Sequence, residues 1–142
     1  MDDIIIAAIR RRLKTKPTDL GNSSRSRLNP GNPVDISHDE TRLGFPFPPL
    51  MKRIYTEIGN GGFGPGYGLT GLTHGAPDDT GQTAPAIYEV FRSPGASELN
   101  WPIGLLPICH WGCGIVSCVD CIDPNFRMRI FDPNVHLSLI HI

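Results

Sequence analysis

Apolar residues near the start of the chain recur at helical spacing. Over residues 2–14, Ile5, Ile6, Ile9 and Leu13 fall on one side, which predicts a short amphipathic helix. Thr15 to Asn32 lacks any such period and is rich in Ser, Asn, Gly and Pro, so it reads as a linker. A second helix is expected from Pro33, with Asn32 as its cap and the proline in its first turn. Ile36, Glu40 and Leu43 share a face there, and Gly44 stands where the helix should end. The run Phe45–Pro49 cannot be helical throughout, but Pro48 or Pro49 opens a third helix. Leu50, Met51, Ile54, Tyr55 and Ile58 line one side of it, and Gly59 closes it.

The middle of the chain is less regular. Tyr67–Leu72 is a short strand candidate, and Thr73–Gln82 is a polar loop whose consecutive acids, Asp78 and Asp79, read as solvated surface. Thr83 caps a further helix with Pro85 in its first turn; Ile87, Tyr88, Val90 and Phe91 are its expected buried residues, and Ser93–Pro94 stops it. From Trp101 the period becomes that of strands. Leu105–Trp111 and Ile115–Cys121 are apolar and of ordinary strand length. Asp123-Pro124-Asn125 is a turn signal, after which Phe126, Met128 and Ile130 alternate with Arg127 and Arg129, the pattern of a half-buried strand. A second Asp-Pro-Asn, at residues 132–134, ends it.

Composition narrows the picture. A chain of 142 residues with 39% hydrophobic and 19% charged residues suits one domain with a modest core. Its formal charge of −1 singles out neither nucleic acid nor an anionic membrane as a partner. The apolar run Ile4–Ile9 is preceded by Asp2 and Asp3 and followed by Arg10, Arg11, Arg12 and Lys14. That charge order suits a helix macrodipole and is the reverse of a secretory signal. A cytoplasmic location is expected, with neither a membrane nor a nucleic-acid partner.

Gly59–Leu69 holds six glycines and one proline among Phe63, Tyr67 and Leu69. Flexible linkers lack such aromatics, so a shaped turn is expected. Gly59, Gly61 and Gly64 satisfy the dinucleotide fingerprint formally. That motif needs a strand before it and a helix directly after. Here a helix precedes and Pro65–Gly66 blocks a helix, so the match is a decoy.

Cys109, Cys113, Cys118 and Cys121 lie within thirteen residues, with His110 among them. Zinc sites pair thiolates on a tight knuckle, whereas Cys118 and Cys121 fall in a strand-like run and are expected to point to opposite faces. Packing accounts for them, and no metal or other cofactor is expected. Cys109 and His110 are neighbours on a strand and so form no dyad by themselves. His38 and His74 are isolated. No catalytic residue is assigned, and the chain is not expected to be an enzyme. Trp101 and Trp111 flank the first late strand; Trp111, between His110 and Gly112, is the better candidate for a contact aromatic.

Three separated segments, Arg42–Leu69, Leu99–Cys121 and Phe131–Asn134, resemble the bacterial SUKH superfamily, the group that includes the yeast Smi/Knr cell-wall-assembly regulators. The resemblance covers about residues 33–136 and departs at His110, where an acid is expected before Trp-Gly. It implies an α+β fold of the Smi/Knr type, with N-terminal helices packed on a mixed or antiparallel β-sheet. It also implies a protein partner, a cognate toxin domain such as a nuclease or deaminase that an immunity protein binds and neutralises. Phe63, Tyr67, Trp111 and Asp120 are the candidate binding residues. A regulatory scaffold of the Smi/Knr kind is the alternative, and a small Cys/His metal protein a third. The family continues beyond this point to a Trp-containing helix, and the last six residues, Leu137–Ile142, read as a translated transposase-adapter end. The expected organisation is therefore a helix at 1–14, a linker at 15–32, a domain at 33–136 incomplete at its C-terminus, and a non-native tail at 137–142.

Overall fold

The computed structural model describes residues 1–15, 28–135 and the backbone of 138–141. Most of the expected linker, residues 16–27, lies outside the described residues, as do His136, Leu137 and Ile142 around the expected end of the native sequence. Four helices come first, α1 (Asp2–Thr15), α2 (Pro33–Leu43), α3 (Pro49–Arg53) and α4 (Ala84–Arg92). An antiparallel sheet follows in sequence order, β1 (Leu105–Gly112), β2 (Ile115–Asp120) and β3 (Met128–Asp132), with the backbone of β4 (Ser138–His141) paired beyond β3. The fold is α+β. No helix among the described residues is long and apolar enough to cross a membrane.

The helix ends follow local chemistry. The Asn32 side chain accepts a hydrogen bond from the Val34 N–H at 2.8 Å, and Gly44 closes α2 in the left-handed conformation at φ 89°. α3 begins at Pro49 but changes character at Ile54. Residues Ile54–Ile58 form a π-helical turn, closed by the Gly59 N–H donating to the Ile54 carbonyl at 3.2 Å. The wider turn serves two apolar clusters at once. Tyr55 enters the main core, Ile58 enters a smaller one with Ile6 and Phe63, and Ile54 packs against both.

The main core joins Phe45, Phe47, Met51 and Tyr55 from the α2–α3 region to Tyr88 of α4 and to Leu105, Leu106, Val116, Cys118 and Phe131 of the sheet. Trp101 is fully committed to it, between Phe91 at 4.7 Å and Phe131 at 5.2 Å, and its indole N–H donates to the Leu105 carbonyl at 2.7 Å. The smaller cluster seats α1 through Ile6, with Ile9 and Leu13 alongside and Arg53 bonding Asp3 at 2.7 Å.

Several expectations need correction. Contacts with the domain begin before Pro33: Leu28 packs on the smaller cluster, the Gly31 N–H donates to Tyr55 O at 2.7 Å, and Asn29 O accepts from the Asn60 N–H at 2.8 Å. Tyr67–Leu72 is no strand; it makes a single bridge, Leu69 to Cys109, because positive φ at Gly66 and Gly68 breaks the extended run. Val90 is exposed, lying off the stripe of Ala84, Ile87, Tyr88 and Phe91 that α4 turns inward. Phe126 precedes β3 and is exposed, and within β3 it is Phe131 that is buried. Alternation misleads in β2 as well, where Val116, Ser117, Cys118 and Val119 are consecutive and all buried. Cys118 and Cys121 do not part to opposite exposures either. β2 ends at Asp120, and Cys121 turns inward with its N–H on Gly104 O at 2.8 Å.

Candidate functional site

The glycine loop is built by close backbone approach. A Cβ at Gly61 would stand 2.5 Å from Gly71 N, and one at Gly66 would stand 2.6 Å from His110 O. Only glycine lets the loop lie this close on its neighbours. Tyr67 is thereby carried onto β1, its N–H donating to the His110 carbonyl at 3.0 Å and its ring lying over Gly112. The ring is 64% exposed.

The polar loop, residues 73–82, is instead tied down by side chains. The Asn60 carboxamide accepts from Leu72 N–H at 2.7 Å and donates to Thr73 O at 3.1 Å. Buried Asp39 accepts from the Thr73 N–H at 3.0 Å and from its hydroxyl. Further along, Asp78 Oδ1 accepts from Thr80 N–H at 2.9 Å, Thr80 Oγ1 at 2.6 Å and Gln82 N–H at 2.9 Å. This Asx-type knot turns Asp78 inward, correcting its reading as solvated surface. Its side chain keeps 5% exposure, and Oδ2 faces His110 Nε2 at 3.6 Å. Asp79 remains exposed.

Between the two loops and the β1–β2 turn lies a cleft of about 690 Å³, bordered by Tyr67, Asp78, Asp79, His110, Cys113 and Phe91. Burial, the largest single influence on the Asp78 carboxyl, works to raise it. The hydrogen bonds from Thr80 and Gln82, with His110 beside them, together hold it below its ordinary value. His110 Nε2 is buried and takes no hydrogen bond. The three buried thiols are quiet. Burial pushes Cys109 up to about 11; burial first, then Asp120 and Glu40, pushes Cys121 up to about 12. Cys118 is raised by burial as well. Such thiols stay protonated at neutral pH and are poor nucleophiles. Among the described residues no group of three or more His, Cys, Asp or Glu could hold a metal ion.

The four binding candidates are dispersed. Phe63 is 3% exposed and belongs to the core under α1. Tyr67 borders the cleft. Trp111 is 45% exposed, but its ring lies against Gly66 and its indole N–H donates to Ser117 Oγ at 2.7 Å. Asp120 is a turn residue: Oδ1 accepts from Ile122 and Asp123 N–H groups at 3.2 and 3.1 Å, and Oδ2 lies 3.5 Å from Arg129. His38 is exposed, and His74 pairs with Asp35 at 3.0 Å on the surface. The pairing of Asp78 with His110 escaped sequence reasoning. Its one local signal was Asp78 followed by Thr80 and Gln82, the spacing of an Asx knot.

No protein-family model matches the chain, and no curated protein matches it.

Proposed function

We propose that the chain is an intracellular protein-binding module of the SUKH immunity type, neutralising a cognate toxin domain by direct contact. The observation that carries the reading is Tyr67. A large ring stands 64% exposed on a loop whose backbone is pinned from several sides. Core packing gives no reason to expose it, and rigid aromatic rings are favoured anchors at protein interfaces because they bury much area with few torsions to freeze. The segments that carry the SUKH resemblance also meet in space, through the Leu69–Cys109 bridge and the Trp101–Phe131 contact. The protonated, buried thiols favour binding over nucleophilic catalysis. A cytoplasmic location, suggested by the charge order of the N-terminal helix, belongs to the same reading.

Co-expression with toxin genes encoded beside this one tests it. Growth is expected to be rescued by the wild-type chain and lost with Tyr67→Ala at equal soluble protein level. Failure to rescue from any neighbouring toxin, or rescue indifferent to Tyr67, would overturn the reading.

A further inference from the structure

We infer that the cleft receives an arginine side chain from an extended segment of the partner protein, an inference that rests on the chain being a protein-binding module. The volume of about 690 Å³ falls within the roughly 300–1,000 Å³ usual for ligand clefts. It has room for a peptide segment. Among the described residues Asp78 and Asp79 line it and no Lys or Arg does, His110 being its one basic side chain.

Polar atoms there are also left over. Asp78 spends Oδ1 on three hydrogen bonds within its own loop, and among the described residues none reaches Oδ2. His110 Nε2, 3.6 Å away, is buried and unpartnered. A largely buried carboxylate oxygen without a hydrogen bond is costly, so a ligand that supplies donors to Asp78 Oδ2 is favoured. Guanidinium presents five N–H donors in a rigid plane. One edge of it pairs with the Asp78 carboxylate oxygen, while Asp79 adds charge at the rim. The exposed Tyr67 ring offers a face on which that plane stacks. Lysine brings a point charge that stacks less well. Toxins that act on nucleic acids hold phosphates with cationic side chains, and a cleft of this kind would cover one of them.

The test is an amide NMR titration of the full chain with acetyl-Gly-Arg-Gly-Gly-amide, beside the same peptide with lysine or citrulline in place of arginine. The amides of Tyr67, Asp79 and Gly112–Gly114 are expected to shift. Citrulline, which keeps the shape and loses the charge, is expected to weaken binding about tenfold, and lysine about threefold. Asp79→Asn and Tyr67→Leu, both at exposed positions, should each weaken the arginine peptide while leaving the rest of the spectrum in place. Equal binding of citrulline and arginine peptides, shifts confined to other residues, or no shift at millimolar peptide would overturn the inference. So would agmatine binding as tightly as the peptide, which would make the ligand a free small cation. Tyr67-dependent growth rescue without arginine discrimination overturns this inference alone; arginine discrimination without rescue by any neighbouring toxin overturns the immunity reading alone.

Discussion

The two loops that border the cleft are held in opposite ways. Residues 59–69 keep their shape through missing side chains: Gly61 and Gly66 lie so near Gly71 N and His110 O that a single added carbon would collide. Residues 73–82 keep theirs through particular side chains, Asn60 and Asp39 on one flank and Asp78 within. The first loop presents the Tyr67 ring outward, and the second turns the Asp78 carboxylate inward. Shape imposed by close approach is indifferent to pH and intolerant of any added atom. Shape imposed by a carboxylate tolerates bulk at the rim and depends on charge.

The largest expected effect breaks the first loop. Gly61→Ala places a Cβ 2.5 Å from backbone at a φ of +79°, and a loss of about 2–4 kcal/mol in stability is expected from chemical denaturation. A loss below about 0.5 kcal/mol would mean that the loop relaxes freely and that the contrast is overstated. A smaller effect is expected in the second loop. Asp78→Asn weakens three hydrogen bonds to a charged acceptor, and about 1–2 kcal/mol is expected at neutral pH. The pH dependence has a definite sign. A carboxyl held below its ordinary 3.8 in the folded state contributes stability that is fully present well above pH 3.8. That contribution is lost as pH falls through the depressed folded value. The stability gap between wild type and Asp78→Asn should close over that window, and a gap that stays constant from neutral to strongly acidic pH would refute the role given to the charge. The smallest effect sharpens the comparison: Tyr67→Ala should change stability by under about 0.5 kcal/mol, since the exposed ring covers little but Gly112. A larger loss would make Tyr67 a structural brace.

Much of the framework was readable from the sequence because its causes are local. Asn32-Pro33 and Gly44 bracket α2, Pro49 opens α3, and apolar runs between turn signals mark the β1, β2 and β3 region. The π-helical turn was not readable, because nothing local separates it from α-helix; it answers to two clusters that form only in the folded chain. Tyr67–Leu72 looked like a strand through its apolar residues, yet it is ruled by contacts at Gly66 and Gly61 with distant segments. The cleft was the least legible part. Asp78 and His110 are far apart in sequence, and their meeting depends on the knot at Thr80 and Gln82 and on the glycine loop pressing against β1. Phe63 and Tyr67 stand close together in one loop and have opposite fates, which the pattern of glycines alone does not distinguish.

Burial of the middle of β2 on both sides has a bearing on how such a molecule changes over time. With Val116, Ser117, Cys118 and Val119 all buried, a partner of the kind proposed would meet this part of the chain at turns and loop tips. Those positions tolerate substitution far better than packed strands. Recognition and folding therefore draw on largely separate sets of residues. On the proposed reading, rim positions such as Asp79 and Tyr67 would be free to diverge with a partner, while the scaffold beneath them would keep its sequence.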